Sequence, residues 1–130
     1  IEKDLKWQKQ HWKSLKSAYQ TSPFFEFYED ELAPLYLKDY DFLMDFNYDC
    51  FNVICSCLQL KIDFKKTTEY FHDAKDFIDK RDLINAKTNI QIPEYVQVFQ
   101  EKKGFLSNLS ILDLLFSEGT NTPNYLKNLS

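Results

Sequence analysis

Apolar residues recur every three or four positions along much of the chain, and this period places them on one face of a helix. The pattern predicts helices over residues 5–20, 24–31, 40–58 and 108–117. The pattern is clearest over residues 40–58, so we expect that helix to bury its apolar face. The residues of this face are Leu43, Phe46, Cys50, Ile54, Cys57 and Leu58.

Helix ends are predicted from residues that favour caps. Ser22 followed by Pro23 predicts the start of the second helix, with serine as the N-cap and proline at the first helical position. Ser107 or Asn108 is expected to cap the last helix. Gly119 stands where a left-handed residue ends a helix.

Two other stretches alternate polar and apolar residues, which is typical of short strands. They are residues 61–65 and 95–99. Residues 69–79 show a weak helical pattern, and the polar residues 120–130 are expected to form a loose tail. The chain is therefore predicted to be a single α+β domain, predominantly helical with a small sheet.

The composition limits the classes of function. The formal net charge of −4 argues against a chain that binds nucleic acid or an anionic membrane by charge alone. No stretch reaches the roughly 18 uncharged apolar residues of a membrane span. With two glycines in 130 residues, a glycine-rich phosphate loop within this chain is excluded.

The three cysteines bear on the cellular compartment and give no sign of a metal or redox site. Their number is odd and the chain is not rich in cysteine, which favours the reducing cytoplasm. Cys55 and Cys57 lack the two-residue gap of a zinc or redox pair. Cys50 and Cys57 fall on the apolar helix face, so we expect core thiols, with no disulfide and no metal.

Asp113 lies inside an apolar helical stretch, between Leu112 and Leu114. A buried carboxylate without a partner costs several kcal/mol, so a partner is required. We expect a cation or at least two hydrogen-bond donors, with Arg81 as the favoured cation and groups near residues 95–99 as the second choice. A structural role and a ligand-binding or catalytic role both stay open.

Arg81 is the only arginine among sixteen basic residues. Its forked guanidinium suits bidentate binding of a carboxylate or phosphate in a ligand. The alternative is a structural pair with Asp79, Asp82 or Asp113.

Other polar residues stand beside aromatic ones. His11 shares a helix face with Trp7, which indicates either a stacking pair with a titrating histidine or a histidine at the edge of an aromatic core. Gln97, between Tyr95 and Phe99, is a plausible hydrogen-bonding group in a pocket, or part of a half-exposed edge strand.

Two sequence blocks carry a resemblance to a known family. The first is Trp7-x3-His11-Trp12-x6-Tyr19-x2-Ser22-Pro23-Phe24-Phe25-x2-Tyr28. The second joins Tyr95-x-Gln97-x-Phe99 to Phe105-Leu106-x-Asn108-Leu109-Ser110-Ile111-Leu112-Asp113-Leu114-Leu115-Phe116-x-Glu118-Gly119. In this order they resemble the WbqC-like family of bacterial proteins, over about residues 5–120.

The resemblance implies a setting and a set of candidate residues. Family members are typically longer, so the chain corresponds to the C-terminal two-thirds of such a protein, without an aromatic and proline-rich N-terminal segment. Members occur in gene clusters for O-antigen and other surface polysaccharides and are associated with amino-sugar modification. The resemblance therefore implies transfer of an acyl or aminoacyl group to a nucleotide-linked amino sugar. His11 and Asp113 are the candidate catalytic residues. The candidate substrate-binding residues are Trp7, Arg81, Tyr95, Gln97, Asn108, Ser110 and Glu118.

The expected partners are a nucleotide sugar or an acyl donor, with no cofactor and no nucleic acid. The alternative function is a non-enzymatic helical module that presents its aromatic surface to a partner protein. A concave pocket gathering the candidate residues favours the enzyme. An exposed apolar patch favours the module.

Overall fold

The computed structural model describes residues 1, 6–73, 78–81 and 91–129. The helices over these residues are α1 (Trp7–Tyr19), α2 (Phe25–Leu32), α3 (Leu43–Cys57), α4 (Gln100–Lys103), α5 (Ile111–Glu118) and α6 (Thr122–Lys127). A 3-10 turn at Ala33–Tyr36 continues α2, and another at Gly119–Asn121 joins α5 to α6. The four predicted helices are confirmed, with ends shifted by up to three residues. None of the described helices has both the length and the apolar character needed to cross a bilayer.

The prediction of an α+β fold is wrong, because the described residues contain no strand. At residues 95–97 the alternation itself is real: Tyr95 and Gln97 are buried, while Val96 is 79% exposed. The Gln97 side chain, however, takes the place of a neighbouring strand. Its Nε2 donates to the Leu106 carbonyl at 2.8 Å, and its Oε1 accepts from the Leu106 N–H at 2.9 Å. One side-chain amide thereby satisfies both backbone groups of one residue.

The other predicted strand, residues 61–65, is irregular and exposed. Phe64 packs against α3, with its ring centroid 5.8 Å from Tyr48 and 5.2 Å from Phe51. No second strand pairs with this segment among the described residues. In the weak helix predicted at 69–79, residues 74–77 lie outside the described part, and the others are not helical.

The core lies where α2 meets α5 and the C-terminal end of α1. Phe25 and Phe116 are almost fully buried, with ring centroids 5.1 Å apart. Tyr19, the last residue of α1, lies 5.2 Å from the Phe116 ring. The Phe24 N–H donates to the Phe116 carbonyl at 3.0 Å. Aromatic contacts thus join segments that are about 90 residues apart, each buried ring removing roughly 150–250 Å² from water.

The predicted burial of the α3 face is only partly correct. Leu43 is 62% exposed, so its predicted burial is wrong. The remaining apolar residues of this face pack against the core but stay half-buried, except Leu58, which is buried; the half-buried ones are Phe46, Cys50, Ile54 and Cys57. The three cysteines are free thiols, and burial raises the pKa of Cys50 and of Cys57.

Two of the predicted helix caps differ from those in the structure. Ser110 caps α5, since its Oγ accepts a hydrogen bond from the Leu112 N–H at 3.3 Å, so neither Ser107 nor Asn108 does so. Ser22 does not begin α2; its hydroxyl instead donates to the Tyr19 carbonyl at 2.6 Å and closes α1. Gly119 ends α5 as predicted, but with φ +54° and ψ −125° it does not have the left-handed helical conformation that was expected.

Residues 122–127, expected above to be loose, form α6. Thr122 is fully buried, and its hydroxyl lies 3.5 Å from the Leu114 carbonyl. Leu126 packs against the buried core that contains Phe25 and Phe116. The polar composition of this segment concealed these contacts, because a few well-placed residues hold the helix against α5.

Gly119 has no room for a side chain. A Cβ at this position would lie 2.5 Å from the Phe24 ring, and φ is +54°. Gly104 also has a positive φ, +72°, but nothing lies within 4 Å of its Cβ position. We expect Gly119→Ala to destabilise the protein by about 1–3 kcal/mol more than Gly104→Ala, the added cost of overpacking. Urea unfolding measures both, and equal losses would contradict the contact.

Tyr28 is 3% exposed, and its hydroxyl has no hydrogen-bond partner among the described residues. Because an unsatisfied buried polar group costs about 1–3 kcal/mol, Tyr28→Phe should leave stability unchanged or raise it. Tyr40, 6% exposed, donates to Asp49 at 3.0 Å, so Tyr40→Phe is a matched control that should lose stability. Thermal and urea unfolding compare the two, and a similar loss in both would show that the Tyr28 hydroxyl is bonded.

Candidate functional site

Asp113 accepts hydrogen bonds from two tyrosine hydroxyls. The side chain lies in the first turn of α5 and is 2% exposed. Its Oδ2 accepts from the Tyr19 hydroxyl at 2.9 Å, and its Oδ1 accepts from the Tyr95 hydroxyl at 2.8 Å. The expectation of a buried carboxylate with at least two donors is therefore confirmed. The favoured cation, Arg81, is not one of these donors.

The two tyrosines come from distant parts of the chain, 94 and 18 residues from Asp113. Burial raises the pKa of Tyr19 well above its ordinary value, and the hydrogen bond to Asp113 raises it further. Burial also raises the pKa of Tyr95; a hydrogen bond with Gln97 opposes this shift, and Asp113 adds to it. Both hydroxyls stay protonated at neutral pH and can donate to the carboxylate.

Arg81 is exposed and pairs with Asp79. Its Nε and Nη2 lie 2.9 and 2.5 Å from the carboxylate oxygens of Asp79, and its Nη1 donates to the Phe71 carbonyl at 2.7 Å. These bonds from Arg81 lower the pKa of Asp79 to about 2. Arg81 was expected either to bind a ligand or to pair with an aspartate. The structure favours the pair, because the Asp79 carboxylate already binds Nε and Nη2 of the guanidinium.

His11 lies apart from Asp113. It is exposed on α1, with its ring centroid 5.3 Å from Trp7, and Trp7 in turn packs 5.2 Å from Phe46. His11 precedes Tyr19 by eight residues, or about 12 Å along the helix axis at 1.5 Å per residue. The structure therefore does not bring the two candidate catalytic residues together.

Tyr95, Asn108 and Ser110 line one cavity of about 280 Å³, which we call the apolar cavity. Its remaining wall is apolar or aromatic and comprises Ile92, Leu109, Ile111, Leu114, Tyr125, Leu126 and Leu129. The Tyr95 ring meets Tyr125 edge-on at 5.5 Å. Three of the seven predicted substrate-binding residues thus share one cavity. It lies beside the group formed by Asp113, Tyr19 and Tyr95, which we call the Asp113 cluster.

Gln97 lines a second cavity of about 500 Å³, which we call the polar cavity. It lies among the α1–α2 turn, the segment before α4 and the C-terminal end of α5. Its lining residues are Thr21, Ser22, Pro23, Val96, Gln97, Val98, Gln100, Glu101 and Ser117. Glu118 lines neither cavity; it accepts a hydrogen bond from Asn121 Nδ2 at 2.7 Å.

Sequence reasoning missed the part that Tyr19 plays at Asp113. The helical spacing of Tyr19 indicated a place on an apolar helix face. Its occurrence in the first of the two sequence blocks was the one sign of another role. Tyr125 was missed because its segment was predicted to be loose; its hydroxyl donates to the Pro93 carbonyl. Among the described residues, no three His, Cys, Asp or Glu side chains gather in a way that would hold a metal ion.

Comparison with known proteins shows the family. The model of the WbqC-like protein family matches residues 1–87, and the chain belongs to this family. It is similar to the Uncharacterized protein Rv1507c of Mycobacterium tuberculosis, 31% identical over 149 residues. That alignment covers 93% of this chain and 64% of the relative, so the chain spans less than two thirds of the relative's length. No solved structure matches.

The family model ends before Tyr95, so it covers α1 to α3 but neither Asp113 nor the apolar cavity. The assignment of Asp113 and of the other candidate residues stays a prediction.

The Asp113 cluster should contribute measurably to stability. Asp113→Ala leaves two tyrosine hydroxyls without their acceptor, which should cost about 2–6 kcal/mol at roughly 1–3 kcal/mol for each group. Tyr95→Phe should cost more than Tyr19→Phe, because Tyr95 is 8% exposed whereas water can reach the half-buried Tyr19.

A double-mutant cycle of Asp113→Ala with Tyr95→Phe measures the bond itself, with an expected coupling of about 1–3 kcal/mol. Tyr48→Phe serves as the control, since Tyr48 stacks on Phe64 away from this cluster. Additive losses in the cycle would mean that the bond contributes nothing.

Proposed function

We propose that this protein acts in bacterial surface-polysaccharide biosynthesis, transferring an acyl or aminoacyl group to a nucleotide-linked amino sugar. Membership of the WbqC-like family supports the biological setting. The single observation that supports a reaction site is the apolar cavity, which gathers Tyr95, Asn108 and Ser110.

The shape and lining of the apolar cavity favour the transferred group over the nucleotide sugar. Ligand pockets for drug-sized molecules occupy roughly 300–1,000 Å³, with mostly apolar walls and a few placed polar groups. The apolar cavity, at about 280 Å³, lies just below this range and is too small for a nucleotide sugar. It suits a short acyl group whose carbonyl meets the polar residues.

The polar residues of this cavity have complementary roles in the proposed site. Ser110 accepts the Leu112 N–H as a helix cap, so its own hydroxyl proton can be donated to an acyl oxygen. The Asn108 amide offers two further donors. The Tyr95 hydroxyl donates a hydrogen bond to Asp113, which fixes the orientation of the phenol. Asp113 is therefore proposed as a positioning residue, and His11 lies outside this arrangement.

One observation favours the alternative, a module that binds a partner protein. Four apolar side chains around the start of α3 are exposed: Leu37 at 80%, Phe42 at 69%, Leu43 at 62% and Met44 at 59%. Exposed apolar patches of this kind mark interaction sites when they are contiguous. This surface lies on other elements than the apolar cavity, so the two functions can be tested separately.

The test is incubation of the full-length protein with nucleotide-linked amino sugars and acyl donors, followed by mass spectrometry. Asn108→Asp should lower the rate roughly tenfold or more, about 1.4 kcal/mol, because a carboxylate cannot donate to an acyl oxygen. Aspartate tolerates a positive φ, here +64°, so the backbone should be kept.

The matched control is Asn47→Asp, the same change on the exposed surface of α3, which should leave the rate unchanged. Absence of any acylated product with all donors would reject the transferase. Loss of binding to a cellular partner on Phe42→Ser, with no acyl transfer, would favour the module.

A further inference from the structure

The polar cavity has a lining that differs in chemistry from that of the apolar cavity. It presents hydroxyls from Thr21, Ser22 and Ser117, amides from Gln97 and Gln100, and one carboxylate, Glu101. Pro23, Val96 and Val98 supply the apolar part of its wall. Amides, hydroxyls and a carboxylate offer both donors and acceptors at short range, which suits a ligand that carries several hydroxyl groups.

The charge of the lining disfavours ligands that bind through a phosphate or carboxylate group. Among the described residues that line the cavity there is no lysine and no arginine, the side chains that bind phosphate and carboxylate. Lys102 and Lys103 follow Glu101 on α4 but do not line it. The only formal charge in the lining is therefore negative, which favours a neutral ligand or one that carries an amine.

Two groups at this cavity are held in place before any ligand binds. Gln97 is 5% exposed, and both ends of its amide are bound to Leu106. The Gln97 N–H donates to Gln100 Oε1 at 3.1 Å, which orients that second amide. Preorganised polar groups lower the entropic cost of binding. The Gln100 amide is therefore oriented before a ligand reaches the cavity.

The two cavities are lined by consecutive residues of one segment. Tyr95 lines the apolar cavity, while the next three residues, Val96, Gln97 and Val98, line the polar one. Ser117, also in the polar cavity, lies one helical turn after Asp113 on α5. The segment that lines both cavities is thus the one that Asp113 anchors through the Tyr95 hydroxyl.

We propose that the polar cavity binds an amino sugar, with the Glu101 carboxylate pairing with its amine and the Gln100 amide, oriented by the Gln97 N–H, contacting its hydroxyls. Val96 and Val98 would meet the apolar C–H face of the sugar ring. Only one part of this inference rests on the proposed function: that the bound sugar accepts the acyl group. The binding itself is argued from the lining.

The test is calorimetric titration of the full-length protein with glucosamine and, separately, with glucose, which lacks the amine. Glucosamine should bind roughly tenfold more tightly, and Glu101→Gln should abolish this difference, which corresponds to about 1.4 kcal/mol. Glu94→Gln is the matched control, because Glu94 is exposed in the same region and does not line the cavity. Circular dichroism of each variant checks that the fold is kept.

Equal affinity for the two sugars, or no heat with glucosamine up to roughly 10 mM, would overturn the proposal. So would a preference for glucosamine that survives Glu101→Gln or is lost in Glu94→Gln. If glucosamine binding depends on Glu101 while no acyl transfer is found, the sugar site stands and the transferase fails. If acyl transfer is found and Glu101→Gln leaves both it and glucosamine binding unchanged, the transferase stands and the sugar site fails.

Discussion

The arrangement of the described helices depends on one buried carboxylate. Asp113 must find partners away from water, and it finds them in the Tyr19 and Tyr95 hydroxyls rather than in a cation. Neutral donors suit this location, because they satisfy the carboxylate without bringing a second charge out of water, whose desolvation would cost several kcal/mol. The end of α1, the start of α5 and the segment before α4 are thereby fixed to one another.

The elements that the sequence predicted correctly are those set by local spacing. The helical periods of α1, α2, α3 and α5 were found because each apolar face recurs within a few residues. The burial of Asp113 also followed from its neighbours in the sequence. Its partners did not, because a hydroxyl 94 residues away leaves no local trace, and the lone arginine was the more obvious counterpart.

Two of the incorrect predictions share a physical cause: a local pattern was satisfied by a contact of another kind, with a residue eight or nine positions away. Alternation at residues 95–97 predicted a strand, yet a glutamine side chain supplies the pairing. The polar segment after residue 119 predicted a loose tail, yet a fully buried threonine and Leu126 hold it in place. For the site, Tyr95, Asn108 and Ser110 do converge, whereas Trp7, His11 and Arg81 lie elsewhere in contacts of their own.

The amide clamp between Gln97 and Leu106 has a consequence for how this region can change through evolution. In a sheet, register is set by a ladder of bonds, and inserting one residue reverses the face of every residue that follows. Here a single residue at each end defines the register, and the segment between them closes as a loop whose entropic cost grows only slowly with length. The loop can therefore gain or lose residues after Glu101 while the clamp between Gln97 and Leu106 is kept. The length of this loop is thus a variable that can alter the mouth of the polar cavity without disturbing the core.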